Sequence, residues 1–150
     1  MFYDTDIYLV DWRESRWLVL TSLCSLLPTI YSFYHSLFFL STVSLISSII
    51  SANYWRKATI STRRDLDLVL QKVAFIIYSY HGFYYVRGYR IIVFTPGVIY
   101  LIYNYYYSNQ LYYEKKKEWL SHHICFHMMI LMEQFVVLES QQQYLSFERK

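Results

Sequence analysis

The sequence has few of the residues that build tight turns, disulfides and charged surfaces. Only three of its 150 residues are glycine, two are proline and two are cysteine. Charged residues make up 17%, whereas a soluble domain carries about 25%. Two cysteines provide no disulfide framework, and the sequence contains no GxSxG, glycine-rich phosphate loop or CxxC pair. These absences argue against a disulfide-stabilised domain and against the enzyme classes that those motifs define.

Charge is missing altogether from one long stretch. The 39 residues from Trp17 to Trp55 contain no Asp, Glu, Lys or Arg, and only His35 among them ionises near neutral pH. As one helix the stretch would be about 58 Å long, roughly twice the thickness of the hydrocarbon core of a bilayer. We therefore interpret it as two membrane spans joined by a turn near residues 31–36.

The rest of the chain extends this pattern and predicts an all-α fold. We expect an integral membrane bundle of about five transmembrane helices, forming a single domain over residues 1–150. Lys72 interrupts the third span, and the pair Pro96–Gly97 predicts a kink in the fourth. The polar segment 141–150 is predicted to be loosely ordered. The predicted spans cover about residues 16–33, 36–55, 67–84, 90–107 and 118–138.

The positive charges predict how these spans are oriented. Five spans place nine Lys and Arg residues on the side of the N-terminus and four on the other side. The positive-inside rule then puts the N-terminus in the cytosol and the C-terminus outside it. Because these charges flank spans and form no basic face, we expect lipid and membrane proteins as partners, not nucleic acid. The nine are Arg13, Arg16, Arg56, Lys57, Arg63, Arg64, Lys115, Lys116 and Lys117, and the four are Arg87, Arg90, Arg149 and Lys150.

Aromatic residues are abundant, with 18 tyrosines and four tryptophans. Aromatic rings concentrate where a helix meets either interface of a membrane. All four tryptophans fall at or near predicted span ends, so we interpret them as part of such an interfacial belt and not as a ligand-binding box. They are Trp12, Trp17, Trp55 and Trp119.

Polar side chains inside predicted spans are costly, and each one raises a question of function. In the segment SHHICFH, His123 and His127 are four residues apart, which places their Cβ atoms about 5–6 Å apart on one helix face. The predicted topology brings Ser51, near the end of the second span, and Asp67, at the start of the third, to the same cytosolic layer. Because imidazoles and carboxylates are zinc ligands, the layer predicts a metal site or an acid–base site.

A second interpretation of this layer stays open. Histidines near the start of a helix can lie in the interface, hydrated and without a metal, and acidic residues there are favoured by the helix macrodipole. Lys72 also counts against a metal, since an ammonium group at that depth repels a cation.

The arrangement resembles the CREST superfamily of membrane hydrolases and receptors, which includes the alkaline ceramidases and the progestin and adipoQ receptors. Its last-span HxxxH is matched by His123 and His127, its third-span Asp by Asp67 and its second-span Ser by Ser51. The resemblance implies a helical bundle in which three histidines bind zinc near one membrane face, close to the Ser and Asp. Two features depart from the family: Trp55 stands where the first zinc histidine is expected, and about five spans replace the usual seven.

Two hypotheses about function follow. In the first, the chain is a diverged zinc-dependent hydrolase of lipid amides or esters. Zinc held by His123, His127 and Asp67 would activate a bound water, and Ser51 would stabilise the oxyanion, so that Ser51 and Asp67 would be the catalytic residues. In the second, the chain is a non-catalytic membrane bundle that binds lipid or assembles with partner subunits.

Overall fold

Helices make up most of the chain that the structure, a computed structural model, describes: residues 9–149. The predicted all-α fold class is confirmed. The first two helices follow one another directly and together cover the first predicted span, so five helical segments correspond to the five predicted ones. The helices are α1 (Trp12–Cys24), α2 (Leu26–Tyr34), α3 (Phe38–Arg56), α4 (Thr62–Tyr85), α5 (Ile91–Tyr113) and α6 (Trp119–Glu148), with a 3₁₀ turn at Gly88–Arg90.

Within the described residues, two of these segments are long and apolar enough to cross a membrane, judged by length and composition. They are Trp12–Tyr34, which comprises α1 and α2, and Phe38–Arg56, which is α3. These are the segments that contain the long uncharged stretch.

The break between α1 and α2 follows from Pro28. Proline has no backbone N–H to donate to the carbonyl four residues earlier, here that of Cys24, and its ring crowds that carbonyl. Helix α1 accordingly ends at Cys24, and the N–H of Ser25 donates to the carbonyl of Ser22 at 3.2 Å instead. The first predicted span is therefore two helices joined at Ser25.

The prediction of a loosely ordered tail is wrong. Helix α6 continues to Glu148, so the described part of the segment 141–150 is helical almost to its end. Gln143 donates to Glu139 one turn earlier at 3.3 Å, and the Arg90 guanidinium donates to Gln143 at 2.8 Å and to Glu139 at 3.0 Å. These polar contacts stabilise a helix that its composition alone does not indicate. Lys150 lies outside the described residues.

Helices α3 and α6 organise the packing. Helix α3 contacts α1, α2 and α4, while α6 contacts α1, α2, α4 and α5. Apart from the short 3₁₀ turn, α5 packs mainly against α6. This arrangement leaves α6, which carries both candidate histidines, in contact with four of the other helices.

The face of α3 that packs against other helices carries small polar side chains, whereas its outward face is apolar. Hydroxyl groups join the helices: Ser48 donates to the carbonyl of Ser22 at 2.8 Å, and Ser41 donates to that of Thr29 at 3.0 Å. Large side chains of the same α3 helix point outward instead. The buried serines of α3 are Ser41, Ser44, Ser47, Ser48 and Ser51, and its exposed large residues include Phe38, Phe39, Leu45, Ile46 and Ile49.

The four tryptophans divide into two pairs. Trp12 and Trp17 are 55% and 47% exposed, as expected of residues in an interfacial belt. Trp55 and Trp119 are each only 7% exposed and belong to one hydrophobic cluster inside the bundle. The belt interpretation is therefore wrong for these two residues, because both pack between helices.

Candidate functional site

A cavity of about 800 Å³ lies between the helices. All four predicted site residues contribute to its wall: Ser51 from α3, Asp67 from α4, and His123 and His127 from α6. Trp55 lines the same cavity. The residues that the sequence suggested thus line one cavity, whose wall is otherwise largely aromatic and apolar.

Ser51 and Asp67 meet where α3 crosses α4. The Asp67 carboxylate accepts a hydrogen bond from Gln71 at 3.1 Å, and the Ser51 hydroxyl also interacts with it. The Ser51 hydroxyl lies 3.0 Å from that of Ser22 on α1. Gln71 is held in turn, because its amide also donates to the carbonyl of Ser47 at 3.1 Å. Asp67 is therefore a buried carboxylate with partners on two helices.

Each histidine is oriented by a hydroxyl on a different helix. His127 Nδ1 lies 2.9 Å from Thr21 Oγ1 on α1, and His123 Nδ1 lies 3.3 Å from Ser108 Oγ on α5. Each hydroxyl also lies within hydrogen-bond distance of a carbonyl of its own helix, at 3.1 Å for Thr21 and 3.0 Å for Ser108. If the hydroxyl donates to that carbonyl, Nδ1 carries the ring proton and Nε2 is the acceptor nitrogen.

Trp55 packs against both imidazoles. Its ring centroid is 5.1 Å from that of His123 and 6.5 Å from that of His127, in edge-on geometry, and the two imidazole centroids are 5.1 Å apart. The indole N–H only donates a hydrogen bond and is no metal ligand. The position where the resemblance implies a third histidine is thus next to the histidine pair and is filled by an aromatic ring.

The described residues fit a three-ligand zinc centre only in part. The Nδ1 hydrogen bonds are of the kind that orient metal-bound histidines, and two Nε2 atoms would be available. A catalytic zinc, however, takes three protein ligands, and within residues 9–149 no three His, Cys, Asp or Glu side chains form a group that could hold a metal. As placed, the residues therefore do not complete a three-ligand zinc centre. The metal roles of His123, His127 and Asp67 and the catalytic roles of Ser51 and Asp67 stay predictions.

Four residues around the site were not predicted as part of it. Thr21 and Ser108 contact the two histidines, Gln71 contacts Asp67, and Glu133 adds an acid to the cavity wall further along α6. Two of them leave a signal in the sequence: Gln71 is four residues after Asp67, and Glu133 is the first acidic residue after an uncharged run along α6. Thr21 and Ser108 leave none, because only the packing of helices brings them to the histidines.

No family model matches the chain, and no curated protein or solved structure gives a significant match either. Function therefore has to be inferred from the cavity and from the surface around the bundle.

Proposed function

We propose that the chain is an integral membrane protein in which all five helical segments span the bilayer. The support is the distribution of side chains: serines are buried between helices while large apolar residues face outward, the pattern expected where the surroundings are lipid. Helix α5 contains no charged residue from Ile91 to Tyr113. At 1.5 Å per residue, α4, α5 and α6 are each long enough to cross a hydrocarbon core of about 30 Å.

We further propose that the N-terminus is cytosolic and the C-terminus is not. The N–H of Leu9 donates to the carbonyl of Ala58 at 2.8 Å, and the Tyr112 hydroxyl donates to the carbonyl of Leu9 at 2.8 Å. These contacts gather the N-terminal segment, the α3–α4 loop and the end of α5 at one end of the bundle. Those are the segments that carry the nine positive charges, and the positive-inside rule assigns that end to the cytosol.

A glycosylation acceptor tests this orientation. Appended after Lys150, an acceptor sequence is expected to be modified in a host with a glycosylating secretory pathway, because that end would be lumenal. The same acceptor before Met1 should stay unmodified. An unmodified C-terminal tail, in cells that glycosylate a control membrane protein, would contradict an odd number of spans with a cytosolic N-terminus.

For activity, we propose that the chain is a non-catalytic bundle that binds a lipid in the cavity between its helices. The observation that carries this proposal is the cavity itself: about 800 Å³ in volume, with a mostly apolar and aromatic wall and a few polar groups from α3, α4 and α6. Ligand sites in proteins have this size and this composition. In a membrane, lipids are the most abundant amphiphilic molecules that can reach such a cavity.

A photoactivatable lipid tests the proposal. We expect a 1-tetradecanol carrying a diazirine in its chain, added to the full-length protein in phosphatidylcholine nanodiscs, to label peptides that line the cavity. Ala74→Phe should reduce this labelling at least fivefold, since Ala74 is buried and lines the cavity. The matched control is Val73→Phe, because Val73 is the neighbouring residue and faces outward. Labelling confined to the outer surface, or equal in both variants, would contradict lipid binding in the cavity.

A second candidate function is supported by the position of Trp55. We propose that the chain derives from a CREST-like membrane hydrolase whose metal site has lost one ligand. Ser51, Asp67 and the histidine pair line one cavity, and Trp55 contacts both imidazoles. Zinc analysis of Trp55→His protein tests this ancestry. Hydrolysis of lipid amides or esters by the wild-type chain would favour the hydrolase over the binding protein.

A further inference from the structure

Two adjacent residues of α6 present polar atoms to the bundle interior without partners. Glu133 is 8% exposed and Gln134 is 5% exposed, and both line the cavity. Within the described chain, Glu133 Oε2 and Gln134 Oε1 are buried and accept no hydrogen bond. More than nine in ten buried polar groups in proteins have a hydrogen-bond partner, so two neighbouring exceptions need an explanation.

The Glu133 carboxyl group lies against α5. It fills the space beside Gly97, where a Cβ atom at position 97 would lie 1.6 Å from Glu133 Oε1. Glu133 also borders a groove of about 550 Å³ between α5 and α6, whose wall includes Pro96, Gly97 and Met132. The carboxyl group therefore stands at the wall between this groove and the cavity lined by the histidines.

Leaving buried polar atoms unsatisfied is costly. Each such atom loses its hydrogen bonds to water without replacing them, and an isolated charge would cost still more. An apolar residue at either position would avoid the cost, so the two side chains are best explained by a partner that the chain itself does not supply. Both unpaired atoms are oxygens. The amide oxygen of Gln134 only accepts hydrogen bonds, and the Glu133 carboxyl group accepts through both oxygens when ionised and through one when neutral.

We propose that Glu133 and Gln134 bind the headgroup of the cavity's lipid and select one that donates hydrogen bonds, such as a hydroxyl or an amine. This inference rests on the proposed lipid-binding function and specifies its ligand. The apolar chain of the lipid would lie against the aromatic wall, where Phe94, Phe126 and Tyr105 contribute to the cavity. Lipids whose headgroups only accept hydrogen bonds would leave Gln134 Oε1 unpaired, and an ionised Glu133 as well.

The test compares two probes that differ in whether the headgroup can donate a hydrogen bond. Diazirine-bearing 1-tetradecanol and its methyl ether have the same chain, but the ether cannot donate a hydrogen bond. Phosphatidylcholine nanodiscs supply a bilayer whose headgroups have no donor of their own. We expect the alcohol to label cavity peptides of the full-length protein at least fivefold more strongly than the ether. In Glu133→Met and Gln134→Met this preference should fall toward equality, whereas Glu118→Met, an exposed position before α6, should keep it.

The outcomes separate the two proposals. Equal labelling of the cavity by alcohol and ether would overturn headgroup selection while leaving lipid binding intact. Failure of both probes to label the cavity would overturn lipid binding as well. The two probes are compared in the wild-type chain. Headgroup selection is therefore tested even if a variant fails to fold. A preference for the alcohol that survives in both Met variants would also overturn the assignment to these residues.

Discussion

Trp55→His protein is expected to retain about one zinc ion per chain after purification, whereas the wild-type chain retains well under one. Two imidazoles bound through Nε2 to one tetrahedral zinc have ring centroids about 5 Å apart. The centroids of His123 and His127 are 5.1 Å apart, and the ring of Trp55 is 5.1 Å from that of His123. A histidine at position 55 would therefore lie next to His123 at the spacing of the existing pair. The ring of Trp55 is 6.5 Å from that of His127, so the new ring has to shift toward His127 to supply the third ligand.

Controls decide whether the histidine pair is responsible for this gain. Trp55→Ala opens the same space without adding a ligand and should hold no more zinc than the wild type. Adding His123→Ala and His127→Ala to Trp55→His should abolish the gain. Zinc is measured by elemental analysis after dialysis against a weak chelator. Stoichiometric zinc in the wild-type chain would contradict the interpretation that Trp55 replaces a necessary ligand, and zinc-free Trp55→His protein that is folded would contradict the CREST-like ancestry.

The sequence predicted the helices well because charge and hydropathy are local signals. The uncharged run from Trp17 to Trp55 is too long for one helix across a bilayer. The turn between α2 and α3, at residues 35–37, overlaps the end of the predicted turn near residues 31–36. The break at Ser25 could also have been predicted, since Pro28 must disrupt the bond to the carbonyl four residues earlier. The helical tail could not, because it depends on contacts between Arg90 and α6 that lie about 50 residues apart in sequence.

The site was predicted less completely than the fold, and the reason is geometric. Spacing of four residues places His123 and His127 on one helix face whatever surrounds them. The rotation of each helix about its axis is set by packing, and only that rotation decides which neighbours the histidines meet. Thr21 and Ser108 are ordinary helix residues in the sequence, yet their hydroxyl groups contact Nδ1 of both rings. Trp55 was expected at an interface and instead lies between helices.

Close approaches between helices are a further feature that the sequence does not reveal. Only three glycines are present, and two of them, Gly82 and Gly97, face a side chain of another helix so closely that no Cβ atom would fit. At Gly97 the neighbour is the flexible end of Glu133, which can move. At Gly82 the neighbour is the ring of Phe94, which is 3% exposed and packs edge-on against Phe83. The two glycines should therefore differ in their tolerance of substitution.

Gly82→Ala is expected to destabilise the protein by about 1–3 kcal/mol, the usual cost of overpacking a core. The added Cβ would lie 2.1 Å from Phe94 Cζ, so α4 and α5 must separate or the ring must leave its position. This cost outweighs the gain of about 1 kcal/mol that alanine brings over glycine in a helix interior. Thermal unfolding in detergent, followed by the loss of helical circular dichroism, measures the change as a lower Tm.

The effect of Gly82→Ala on stability should change sign when the ring of Phe94 is removed. In a Phe94→Ala background nothing remains at 2.1 Å, so Gly82→Ala should be neutral or stabilising through helix propensity alone. Phe94→Ala itself lowers stability because it leaves a cavity, and the comparison is therefore made within that background. Equal destabilisation by Gly82→Ala with and without the Phe94 ring would show that the approach of α4 to α5 is not what requires glycine at this position. A reversed sign would establish that the Gly82–Phe94 contact sets the distance between these two helices, and with it one wall of the cavity that Phe94 lines.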